Sequence, residues 1–262
     1  MPYVDTHCHL DHHEHLSATE QVERARAAGV TTMVTVGTDM ASSAQAVTTA
    51  KRHEGVWAAV GVHPNDAMEA TPQVLEVIER LAKEDEVVAV GETGLDHYRD
   101  HATPSQQEAS FRAHIELAKR LEKALVIHCR DAWHDLLEVL VDQGPPERVV
   151  MHCFSGDLEV TRRCVEAGWY LSFAGNVTFK NAEALRAVAA ATPLELLLTE
   201  TDSPFLTPHP HRGKPNDPSF VGYTLRTLAE AQDREVAEVE AAVEDNARRV
   251  FALPAPRVAD PA

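Results

Sequence analysis

Eight short apolar runs, each separated from the next by a longer stretch of mixed polarity, constrain this chain more than any other feature. The runs are Val4–His9, Thr31–Val36, Trp57–Val62, Val87–Gly91, Leu125–His128, Val149–His152, Tyr170–Phe173 and Leu196–Glu200. All have strand length. Between them lie helix patterns such as Glu20–Ala28, Gln73–Lys83, Gln106–Leu121 and Asp131–Asp142, the last with Trp133, Leu136, Leu137 and Leu140 on one face. Gly29, Gly55, Gly144 and Gly168 each stand between a helix pattern and the following strand, as helix-stop signals do. Eight strands alternating with helices over about 250 residues is the pattern of an α/β fold of the (β/α)8 TIM-barrel type. A doubly wound open sheet fits less well, because no glycine-rich phosphate loop follows the first strand. We read residues 1–253 as one barrel domain with a final helix over Arg234–Val250, and 254–262, rich in Pro and Ala, as a flexible tail.

A chain of 262 residues buries enough surface to fold without a staple. The four cysteines have no staple-like spacing, and Cys8, Cys129 and Cys153 each lie beside a histidine, so reduced thiols are expected. No apolar run approaches the roughly 20 residues of a bilayer helix. Met1 and Pro2 lead directly into YVDTHCHLD without a signal segment, so a cytoplasmic protein with no membrane partner is expected. The 41 acids against 24 bases give a formal charge of −17, which argues against a binder that neutralises many phosphates along a duplex. An enzyme meeting a nucleic-acid end at one metal-lined mouth remains compatible.

Barrel active sites are built from the carboxyl ends of the strands. At those ends stand His7 and His9, His63, Glu92, His128, His152 and Asp202, all of them metal-ligand types. The D-T-H-C-H spacing puts His7 and His9 on one strand face and Cys8 on the other. Taken singly, each has a blander reading, as a buried strand histidine or a glutamate paired with a base. Convergence of the whole set on one mouth favours the metal reading. Glu92 follows VVAVG, where a carboxylate can bridge two ions, and Asp202 can coordinate an ion and orient its water. Glu200 shares the Asp202 face by period 2 and suits either a supporting role behind a ligand or a water-positioning role. His53, His114 and His134 read as solvated helix residues, and His12, His13 and His15 as a polar loop. Neither Trp133 nor Trp169 has the aromatic neighbours of a nucleic-acid stacking platform.

The motifs DTHCHLD (5–11), GVHP (61–64), GETGLD (91–96), HCRDA (128–132), HCFSG (152–156), TETDSPFLTP (199–208) and RGKPNDP (212–218) resemble the TatD family. These are metal-dependent deoxyribonucleases among the amidohydrolase-type barrels, and the match runs in order from residue 4 to about 250. The resemblance implies two ions, one held by His7, His9, Glu92 and Asp202 and the other by Glu92, His128 and His152. It also implicates His63 and Glu200. Two features depart from the family: His97 precedes the aromatic Tyr98 after GLD, and the loop after the first strand is rich in histidine. The implied reaction is DNA hydrolysis by a water activated between two ions roughly 3.5–4 Å apart. A mouth expected to be narrow and acid-rimmed would take single-stranded ends, in the 3'-5' direction. Asp202 would accept the water's proton, and His63 or Arg130 would steady the phosphate, an ion pair to Asp131 being the alternative for Arg130. Arg212 and Asn216 would cap the mouth as further substrate contacts. Mg2+ or Mn2+ is expected in function and Zn2+ by affinity. The chain is expected to be a monomer whose partner is DNA, without an obligate protein partner. Another hydrolase, acting on D-aminoacyl-tRNA or a lactone at the same metals, is the alternative, because the barrel alone does not choose.

Overall fold

The computed structural model describes residues 3–254, so the expected tail lies outside the described residues apart from Pro254. Eight strands alternate with helices: β1 (Tyr3–Cys8), β2 (Val30–Val36), β3 (Val56–Val60), β4 (Val87–Asp96), β5 (Ala124–Arg130), β6 (Val149–Met151), β7 (Tyr170–Phe173) and β8 (Leu197–Thr199). The helices are α1 (Ala18–Ala27), α2 (Met40–Arg52), α3 (Pro72–Ala82), α4 (Pro104–Leu121), α5 (Trp133–Gln143), α6 (Leu158–Glu166), α7 (Glu183–Ala191), α8 (Val221–Ala231) and α9 (Val236–Phe251). Each strand pairs in parallel with the next, in sequence order from β1 to β8, giving the expected barrel. No described helix is long and apolar enough to cross a membrane.

The seam between β8 and β1 carries much of its bonding in side chains. Thr199 Oγ1 donates to Val4 O at 2.9 Å, and Thr6 Oγ1 donates to Thr199 O at 3.0 Å. Above them, Asp202 N–H donates to His7 O at 2.9 Å and His9 N–H donates to Ser203 O at 2.8 Å. The closure of the barrel and the placing of His7, His9 and Asp202 are therefore one event. At the opposite rim, Asn246 of α9 donates to Leu194 O and Leu197 O, both at 2.8 Å.

Two elements depart from the sequence pattern. β4 runs to Asp96, so Glu92 lies inside a strand rather than after one. Thr93–Asp96 continue the ladder against Ile127–Arg130 of β5, past a register shift between Val90 and Thr93. A bulge of this kind re-aims a side chain. Gly91 allows it: with φ at +142°, a Cβ there would meet Val126 O at 2.4 Å. Helix α2 has the sequence MASSAQAVTTAKR, whose inward positions are mostly small residues that leave a weak apolar stripe. Its start is set instead by the reciprocal cap between Asp39 and Ser42.

His114 corrects a sequence expectation, since it is fully buried rather than solvated. Its Nδ1–H donates to Ser110 O at 2.7 Å, and its Nε2 accepts the Val62 N–H at 3.1 Å, tying α4 to the strand end before His63. That arrangement needs a neutral ring, and burial pushes its pKa down to about 4. Unfolded, the same ring takes a proton near its ordinary 6.5, so acid favours the unfolded chain between pH 6.5 and 4. At pH 5 this amounts to about 2 kcal/mol, or ~5 °C in Tm. Thermal melts at pH 7 and pH 5 should therefore show a larger drop for the wild type than for His114→Gln. Equal drops would refute the assignment.

Candidate metal centre

At the carboxyl ends of the strands lies an open cavity of about 710 Å³, lined among others by His9, His63, Glu92, His128, His152 and Asp202. A larger cavity of about 950 Å³ lies at the opposite end, by Trp57, Lys123, Arg148 and Phe251, and contains none of the expected ligands. Chemistry in this fold belongs to the carboxyl end. Glu92 is the hub. Its Oε1 lies 2.9 Å from both His128 Nδ1 and His152 Nε2, and its Oε2 lies 3.3 Å from His7 Nε2 and 3.8 Å from His9 Nε2. Asp202 Oδ1 closes the second half, 3.5 Å from His9 Nε2 and 3.9 Å from His7 Nε2.

The outer nitrogens of three rings are already committed. His9 Nδ1–H donates to Val36 O at 2.8 Å, His152 Nδ1–H to Glu200 Oε1 at 3.1 Å, and His128 Nε2–H to Asp96 Oδ2 at 3.2 Å. In the neutral form each ring turns its remaining lone pair inward, toward carboxylate oxygens. His7 Nε2 and His9 Nε2 face one another at 3.3 Å. Acceptors gathered on acceptors call for shared cations, and carboxylate-backed imidazoles are how proteins orient metal ligands. Three candidate donor groups surround the hub among the described residues: His7, His9 and Asp202; His7, Glu92 and His152; and His63, Glu92 and His128. The donor set fits divalent cations of the kind that accept mixed imidazole and carboxylate ligands.

The electrostatics agree. Burial opposes charge on Glu92, yet the charge of His152 and the hydrogen bonds of His128 and His152 hold it well below the carboxylate range. Burial likewise opposes a proton on His9, but the Asp202 hydrogen bond and the Glu92 charge raise it to about 9. The cluster draws positive charge to its centre. His63 behaves differently: burial pushes it down to about 3, and its Nδ1 accepts the Asn65 N–H at 3.0 Å. Its Nε2 therefore carries the proton and serves as a donor facing the cavity, 3.5 Å from Glu92 Oε1.

Arg130 lines the cavity with its guanidinium 3.7 Å over the Tyr98 ring, and no ion pair to Asp131 forms among the described residues. Arg99 joins it, so the rim carries two guanidinium groups beside Asp66 and is not simply acidic. Arg212 instead stacks 3.8 Å over Phe179, and it does not line the cavity. Asn216 corrects its expected role. It is fully buried and donates to Thr201 O and Phe205 O, holding the loop after β8 from beneath. His13 Nδ1 accepts the N–H groups of His15 and Leu16, a loop role, whereas His12 stacks 5.1 Å from His9 and reaches the cavity.

Two carboxylates behind the ligands were not singled out by the sequence. Asp96 orients His128, and its signal is the period-2 spacing from Glu92 through Gly94 along β4. Asp5 accepts hydrogen bonds from Thr201 N–H at 2.9 Å and His7 N–H at 3.3 Å, and burial pushes its carboxyl up to about 8. Glu200 also lies behind the site: it is buried, and its Oε1 accepts from His152 Nδ1–H and, at 2.9 Å, from Cys153 N–H. It acts through His152, so Glu200→Gln should weaken metal affinity or activity about 10- to 100-fold. A metal titration of activity checks this, and an unshifted midpoint together with undiminished activity would refute it.

Residues 4–252 match the family model described as TatD related DNase. The chain is 45% identical over 258 residues to a Mycobacterium tuberculosis protein named uncharacterized metal-dependent hydrolase TatD, covering 95% of this chain and 98% of that one. It is 38% identical to the 3'-5' ssDNA/RNA exonuclease TatD of Klebsiella pneumoniae, covering 89% and 91% of the two chains. The crystal structure of YjjV, a TatD homolog from Escherichia coli K12, superposes with a TM-score of 0.90 at 30% identity, covering 96% and 98%. With its barrel and its ring of imidazoles and carboxylates, the chain belongs to the TatD family of metal-dependent hydrolases.

Proposed function

We propose that this hydrolase is a two-metal phosphodiesterase that degrades DNA from single-stranded ends in the 3'-5' direction. The observation that carries the reading is the two-sided Glu92 hub, one oxygen toward His128 and His152 and the other toward His7 and His9, at the floor of an open cavity. His7, His9, Glu92 and Asp202 would hold one ion, and Glu92, His128 and His152 the other. When bound, the ions supply charge neutralisation at the phosphoryl oxygens and a more acidic water. The chain's own groups do the rest. Asp202 takes the water's proton on its carboxylate, and His63 Nε2–H donates to a phosphoryl oxygen. Arg130, its plane supported by Tyr98, offers its N–H edge to the next phosphate. The exonuclease name of the Klebsiella relative supports the same substrate class.

The test is metal-stripped protein with end-labelled single-stranded DNA, to which Mg2+, Mn2+ or Zn2+ is restored in turn. A ladder shortening from the 3' end with Mg2+ or Mn2+ is expected. No cleavage with ions demonstrably bound would overturn the reading and move attention to aminoacyl esters and lactones.

A further inference from the structure

Phe205 lies three residues beyond Asp202 on the cavity wall, and it is 53% exposed. Among the described residues, the exposed large hydrophobics include two aromatics, Phe205 and Tyr98. Tyr98 is engaged under Arg130, which lines the same cavity. Phe205 is left with an open ring surface.

Its position is fixed rather than incidental. The Phe205 N–H donates to Asp202 O at 2.8 Å, while its carbonyl accepts from the buried Asn216, which also donates to Thr201 O at 3.0 Å. The ring meets His9 edge to face, with centroids 6.0 Å apart. An open aromatic is thus held beside the ligand cluster by a buried clamp. In the barrel order, β8 and β5 stand three strands apart, so Phe205 and Arg130 face the cavity from well-separated sides.

We propose that Phe205 is a stacking platform for one unpaired nucleobase next to the bond being cut, with the neighbouring phosphate held at Arg130. This rests on the phosphodiesterase reading and deepens it. Every base has a π face, so an aromatic platform gives affinity without sequence preference. Bases inside a duplex already stack on one another and are paired, so the platform selects single-stranded ends. A chain with a formal charge of −17 gains little from long-range attraction to phosphate, which leaves local contacts to supply affinity.

The test compares kcat/KM on two sets of end-labelled oligonucleotides, one intact and one abasic at the last or next-to-last nucleotide. Wild type should prefer the intact end by about tenfold, mainly through KM. Phe205→Ala should bring that ratio near one, and Phe205→Trp should restore it. If Phe205 only packs against His9, both substrates suffer alike and the wild-type ratio persists in Phe205→Ala, which overturns the proposal. A wild type indifferent to the abasic end overturns it too. Cleavage of neither oligonucleotide by wild type, with ions bound, removes the phosphodiesterase reading itself and is distinct from both results.

Discussion

Glu92→Gln should cost about 10²- to 10⁴-fold in kcat/KM and should lower the number of ions that co-purify with the protein. The side chain is buried, and both its oxygens face imidazole nitrogens, at 2.9 Å on the His128 and His152 side and 3.3 Å toward His7. Glutamine keeps the shape but removes the charge, and it replaces one acceptor oxygen with a donor amide. Whichever way the amide turns, one half of the cluster then faces N–H groups where a ligand stood. Loss of the shared ligand removes metal-supplied transition-state stabilisation worth several kcal/mol, which corresponds to the fold-change above. Metal analysis of the purified variant, with thermal melts under added metal, checks the expectation. Wild type should gain stability with metal because the ions bind only the folded state, and the variant should gain much less. A variant with full metal content and an unchanged melting response would mean that Glu92 is not the shared ligand.

The barrel was legible in the sequence because its strands are short apolar runs bounded by helix stops, and periodicity registers both. The seven ligand-type residues at the strand ends were legible for a related reason, since strand ends in this fold share one mouth. What periodicity does not register is contact across the barrel. Asp96 is set behind His128 by the neighbouring strand, and Glu200 behind His152 from two strands away, so that of the two roles the sequence allows Glu200 the fold favours the supporting one. Asn216 shows the same limit: in a loop of polar residues it reads as a substrate contact, whereas the fold buries its amide under Phe205. His114 misleads for the converse reason. A histidine in a helix pattern is ordinarily solvated, and only the packing of α4 against the strand end before His63 reveals the hydrogen bond to Val62 N–H. Phe205 is silent in the sequence because its exposure, not its identity, is informative.

Asp202→Asn should separate chemistry from metal binding more sharply than Glu92→Gln. Asp202 stands on the loop after β8 with φ at +52°, a left-handed conformation that asparagine adopts at least as readily, so the loop should keep its shape. Its N–H bond to His7 O belongs to the backbone and survives the substitution. What is lost is the carboxylate's charge and its capacity to take a proton. Burial opposes that charge, but the His9 hydrogen bond and the nearby His152 and His7 hold the Asp202 pKa below its ordinary value, so the wild-type group is ionised at neutral pH. Removal of a positioned base typically costs 10²- to 10⁴-fold, and we expect about 10³-fold in kcat with KM nearly unchanged. The ion sites should respond unequally. His128 and His152 do not touch Asp202 and should keep their affinity, while the site of His7 and His9 weakens because Asp202 Oδ1 closes it. Calorimetric metal titration should then resolve one strong and one weakened site, against two lost or weakened sites in Glu92→Gln. If both variants weaken both sites alike, the cluster is a single coupled centre and not two sites bridged by Glu92. If Asp202→Asn retains kcat within tenfold of wild type, the proton goes elsewhere, and Asp202 serves only as a ligand.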